Sequence, residues 1–111
     1  MGDSHIRRKK DALSLEESLK ESMPELWRDG LVDDKLLRAV VRVAMKQELT
    51  RRQRECIELY FGERMTMEQI GEQLGVGKST VYKHIELGKA NIQRVLAYAR
   101  IFRMAMDEAD D

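Results

Sequence analysis

Residues 66–85 read TMEQIGEQLGVGKSTVYKHI, and the fold turns on what the glycines in that stretch are for. Gly77-Lys78-Ser79 has the spelling of the end of a phosphate-binding loop, whose pattern is G-x-x-x-x-G-K-[ST]. The spacing refuses it. The first glycine of that pattern would have to stand where Glu72 is; Gly71 comes one place too early. A carboxylate in the cradle repels phosphate, and the loop has to follow a buried β-strand. The residues ahead of it show helical spacing instead. Thr66 and Gln69 form a T-x-x-Q capping box, the signature of a helix start.

The same letters suit two helices meeting at a sharp angle. Gly71 is small enough for a close helix crossing, Gly75 tolerates the positive φ of a tight turn, and Gly77 can begin the next helix. Ile70, Leu74, Val76 and Val81 are placed to fill the angle between them. A short helix, a glycine turn and a second helix make a helix-turn-helix, whose second helix enters the major groove of DNA. Beyond the turn, Val81, Ile85, Gly88, Ile92, Leu96 and Ala99 recur at steps of three or four. That stripe predicts one long helix over 78–105.

Working towards the N-terminus, Thr50 and Gln53 make a second capping box. It opens a helix with Cys56, Ile57, Tyr60 and Phe61 on its inner side, and Gly62 is expected to end it. Before that, Leu36, Leu37, Val40, Val41, Val43 and Ala44 give a wide apolar face through Glu48, with Asp33 and Asp34 at the helix start. Leu15, Leu19 and Met23 line one face of a predicted helix over 11–23, which Pro24 terminates. PELWRDG reads as a connection broken at Gly30. No period-two alternation of useful length occurs. The expected fold is all-α: a helical bundle containing a helix-turn-helix with a long C-terminal recognition helix. The expected organisation is a disordered tail over 1–10, a helical extension over 11–35, the helix-turn-helix domain over 36–105 and an acidic tail over 106–111.

Composition narrows the setting. The chain has 111 residues, of which 36% are charged and 5% aromatic, with a single proline; this is the mix of one helical domain. It has no apolar run long enough to span a bilayer, and its basic N-terminus lacks the apolar stretch of a secretory signal. One cysteine cannot form an internal disulfide, so a reducing cytoplasm is expected. Formal net charge is zero, but residues 50–100 hold nine basic and six acidic side chains, whereas 101–111 hold one and four. A basic middle and an acidic tail agree weakly with nucleic-acid contact.

The stretch LTRRQRECIELYFGERMTMEQIGEQLGVGKSTVYKHIELGKANI, from Leu49, resembles region 4 of bacterial sigma-70-type factors, closest to the extracytoplasmic-function branch. The resemblance rests on Leu49-Thr50 followed by Arg52-Gln53-Arg54-Glu55, on Leu59-Tyr60-Phe61, and on Met67-Glu68-Gln69-Ile70-Gly71. Leu74-Gly75-Val76 and Thr80-Val81 complete it, and the preceding helix also fits, so that it covers about 36–100. Response-regulator output domains share the opening and a similar turn. Residues 1–35 are too short for the promoter-melting region 2, so an isolated region 4 is expected rather than a complete sigma factor. Gly77 stands where the family usually has serine or threonine. The resemblance implies a transcriptional regulator that binds double-stranded DNA, and a contact with RNA polymerase. A protein-interaction module on the same fold is the alternative.

With Val81 and Ile85 inward, the outward stripe of the recognition helix carries Ser79, Tyr82, Lys83 and Glu86, with Lys78 at its entry. These five are the expected base contacts: lysine can donate to guanine and glutamate can accept from cytosine. Arg51, Arg52, Thr66, Thr80 and Lys89 are the expected phosphate contacts, several of them at helix starts where free N–H groups suit anions. No catalytic set, metal site or cofactor is expected. Cys56 and His84 lack an orienting third group, and His5 is far away in sequence. Tyr98, Ile101, Phe102 and Ala105 form a further apolar stripe. It is expected either to pack on the N-terminal helices, where Trp27, Leu31 and Val32 await partners, or to make a homodimer. Two half-sites would improve specificity and favour the dimer.

Overall fold

The computed structural model describes residues 13–110. The expected tail over 1–10, the first two residues of the expected helix 11–23, and Asp111 lie outside the described residues. Five α-helices follow one another: α1 (Leu15–Ser22), α2 (Asp34–Gln47), α3 (Arg51–Ile57), α4 (Met67–Leu74) and α5 (Lys78–Ala109). Among the described residues there is no strand, and no helix is long and apolar enough to cross a membrane.

Side-chain caps set most of the starts. Thr50 and Thr66 each accept a hydrogen bond from the backbone N–H three residues on, and Gln53 and Gln69 reach back to the threonine N–H. Ser14 and Glu17 make a third such box, which starts α1 at Leu15 rather than at Asp11, because Ser14 is extended. Asp33 caps α2 through its carboxylate, accepting from Leu36 N at 2.8 Å. Each such cap stabilises its helix by about 1 kcal/mol.

Two connections differ from expectation. Pro24–Trp27 is a 3-10 turn rather than an open linker; the proline, lacking an N–H, suits its first position, and the turn buries Leu26. Gly62 does not end the third helix as a left-handed cap. The chain widens into a π turn over Glu58–Gly62, with Glu63 N donating to Glu58 O and Met65 N to Leu59 O, both at 3.0 Å. The left-handed position falls on Arg64, at φ 61°. A π bulge inserts one residue, and so carries the turn past the glycine.

The helices surround α5. Leu19, Leu37, Ile57, Ile70, Ile85, Ile92 and Leu96 are fully buried together; each stabilises the fold by roughly 2 kcal/mol through removal from water. α3 lies closest to α5 at Gly88, where an added Cβ would stand 2.5 Å from Ile57 Cδ1 and 3.3 Å from Gln53 Cβ. Gln53, itself buried, accepts from Asn91 Nδ2 at 3.1 Å, so the residue that caps α3 also ties it to α5. The N-terminal segment is held to the same helix farther along. Gln93 Nε2 donates to Ser22 Oγ at 2.9 Å, and Arg100 pairs with Asp29.

Candidate nucleic-acid interface

α4 and α5 form the helix-turn-helix. Gly75 ends α4 at φ 73°, and Val76 N donates back to Gly71 O at 2.9 Å. Gly71 is buried against that turn, where an added Cβ would stand 2.6 Å from Val76 O. Gly77 is the N-cap of α5 without a side-chain bond, its carbonyl accepting from Thr80 N and Val81 N. All three glycines therefore hold the places the sequence assigned them. Ile70 and Val81 are fully buried in the angle, while Leu74 and Val76 are half-buried at its edge.

This packing fixes which side of α5 is free. Val81 and Ile85 are 0% and 1% exposed. Lys78, Ser79, Thr80, Tyr82, Lys83 and Glu86 are exposed, and Lys89 is half-buried. Tyr82 keeps 54% of its surface in water. The stripe presents a hydroxyl, a phenol, ammonium groups and a carboxylate along the first two turns of a helix whose N-terminus points outward.

The charged groups are not idle. Lys78 Nζ sits 3.0 Å from Glu68 Oε2, bracing the start of α5 against the start of α4. That hydrogen bond holds the Glu68 carboxyl below the usual carboxylate range. Both partners are largely solvated, and such a pair exchanges partners at little cost. Arg51 and Arg52 share Glu55, each at 3.3 Å, and make a separate cluster at the start of α3. Thr66 uses its hydroxyl oxygen to cap α4, and its O–H donates to the Glu68 carboxylate.

Sequence reasoning did not foresee what borders the stripe. Tyr82, Glu86 and Lys89 line one wall of an open groove of about 320 Å³ whose other walls include Tyr60, Phe61, Leu13 and Ser18. Tyr60 and Phe61 meet edge to face at 5.0 Å and are half-buried rather than fully inward. The N-terminal segment thus lies beside the outward face of α5. The spacing of Leu15, Leu19 and Met23 signalled a helix there, but not which surface it would meet. The partners Glu68 and Glu55 were also missed; Glu55 was readable from its helical spacing to Arg51.

Comparison with known proteins supports the geometry. Residues 47–87 match the family model described as Sigma-70, region 4. No curated protein and no solved structure gives a match. The matched span runs from the end of α2 through the first turns of α5 and so contains both helices of the motif. Over residues 47–87, therefore, the chain is similar to region 4 of sigma-70 factors, and its fold there is an all-α helix-turn-helix.

Proposed function

We propose that this protein is a sequence-specific DNA-binding regulator of transcription acting in the cytoplasm, with the start of α5 in the major groove. One observation carries the reading. The second helix of a region 4-like motif buries one stripe completely and leaves Ser79, Tyr82, Lys83 and Glu86 in water. Arg51, Arg52, Thr66, Thr80 and Lys89 would position the helix through phosphates, and Lys78 would leave Glu68 for a phosphate or a base edge. The outward side chains would then read bases. We take the region 4-like domain to begin near residue 36 and to extend into α5, with residues 13–35 as a helical extension packed on it.

The test is a selection of bound duplexes from a random pool, followed by gel shifts on the winner. The double variant Lys83→Ala, Tyr82→Ala should lose specific binding at least 100-fold while keeping its helical circular dichroism. Unchanged affinity would remove these two residues from the interface. Neutralising up to five phosphates gives a salt slope of about −3 to −5 in log K against log salt.

A second reading has its own support. Net charge is zero and the C-terminal segment is acidic, which suits a module that binds RNA polymerase or another transcription protein. A salt-independent or absent DNA affinity, with capture of purified polymerase, would favour it.

A further inference from the structure

The last three turns of α5 bear an apolar face that stays largely exposed among the described residues. Tyr98, Ile101, Phe102 and Met106 are 56%, 53%, 70% and 66% exposed. Large apolar side chains exposed singly are ordinary, but four at helical spacing make a contiguous patch on the order of 500 Å², the upper end for a monomer surface. Intramolecular cover was one expectation for this stripe. The N-terminal segment does reach α5, through Arg100 and Asp29, and Val32 is buried. All four nevertheless stay more than half exposed among the described residues.

We propose that a second copy of this chain docks on this face, the two α5 ends running antiparallel about a dyad near Ile101. Charge selects both the occupant and its direction. Arg94 stands one turn before Tyr98 on the same side of the helix, while Glu108, with Asp107 and Asp110 beside it, stands at the end of the stripe. A parallel pair sets the acidic ends side by side. An antiparallel pair sets each acidic end against the turn that carries Arg94 on the other helix, with Arg94 facing Glu108 of the partner subunit. The same register lays Ile101 against its own copy, with Tyr98 and Phe102 on either side of it. The patch contributes about 500 Å² from each copy, below the roughly 800 Å² per partner of a standard interface. The pair is therefore a reversible dimer in the micromolar range. Tyr82 and Phe102 are twenty residues apart, so the two reading faces sit about 60 Å apart along the helices. That exceeds the 34–36 Å between adjacent half-sites, and the dimer accordingly joins separated sites.

Sedimentation of the full chain tests the proposal, and it does so whether or not the protein binds DNA. At about 100 μM the wild type should approach twice its 12.9 kDa mass. Phe102→Asp should sediment as a monomer with unchanged helical signal and melting temperature, because the side chain is 70% exposed among the described residues. A wild type that stays monomeric at this concentration, or a Phe102→Asp variant that still pairs, overturns the proposal. Direction is tested by charge reversal. Arg94→Glu should weaken pairing at least tenfold, and adding Glu108→Arg should restore it. Failure of that rescue overturns the antiparallel register.

Discussion

Replacing Gly71 by alanine tests what sets the angle of the helix-turn-helix. Gly71 lies inside α4 with ordinary helical geometry, so helix propensity alone predicts that alanine stabilises it by about 1 kcal/mol. The packing predicts the opposite. The new methyl would stand 2.6 Å from Val76 O, and relief needs a shift of roughly 0.7 Å, since carbon and oxygen rest above about 3.3 Å apart. The obstacle is backbone. Val76 N is bonded to Gly71 O, and the next carbonyl, of Gly77, holds the first turn of α5. Overpacking against such a partner costs about 2–3 kcal/mol. The net loss is then about 1–2 kcal/mol, or a fall in melting temperature of roughly 5–15 °C for a domain of this size. Thermal unfolding followed by circular dichroism reads it. Gly62→Ala is the control, because a Cβ there meets nothing within 4 Å and should leave stability the same or slightly raised. A Gly71→Ala variant as stable as wild type would show that the close approach does not fix the angle.

Other consequences can be checked directly. Thr66→Ala removes a complete capping box and should cost about 1 kcal/mol in urea unfolding, whereas Thr66→Ser should cost far less. The carboxyls of Glu17, Asp29, Asp34 and Glu68 are all held below their ordinary values of 4.5 and 3.8, the first two chiefly by backbone N–H donors, Asp34 by Lys20 and Glu68 by Lys78. Groups with depressed folded values stabilise above their unfolded values and lose that contribution as pH falls through the folded ones. The melting temperature should therefore be flat from pH 7 to about 5 and decline below about 4.5; a rise on acidification would contradict these assignments. Cys56 is fully buried, and burial pushes its thiol up. A thiol reagent should label it at the rate of unfolding in buffer and at once in denaturant.

The helix-turn-helix was legible because each local signal named one physical need. Thr66 with Gln69 announced a start, Gly75 a left-handed turn, and the spacing from Val81 to Leu96 a buried stripe. Once that stripe was assigned, the outward residues followed by subtraction. The third helix was read less well at its end. Gly62 looked like the natural stop, but whether a helix closes with an α or a π turn depends on how Tyr60 and Phe61 pack, and no local pattern records that. The burial of Leu26 and the placing of α1 beside Tyr82 are likewise long-range outcomes. Their residues are apolar at unremarkable spacings, and only the assembled fold shows which surface they meet. The charge partner of Lys78 belongs to the same class, whereas Glu55 stands at helical spacing from both Arg51 and Arg52.

The uninterrupted run of α5 has one more consequence, which concerns rotation rather than length. At about 100° per residue, the buried stripe from Val81 to Leu96, the outward stripe from Ser79 to Glu86, and the terminal stripe from Tyr98 to Met106 point in three directions. They lie about 110–135° apart around a single axis. The helix is in effect a three-sided shaft, with the core on one side and a separate working surface on each of the others. Such a shaft keeps angular phase. Whatever grips its far end is set at a fixed angle to whatever the near end touches. One residue inserted between Leu96 and Tyr98 would turn one surface against the other by more than a quarter of a circle, while leaving both intact.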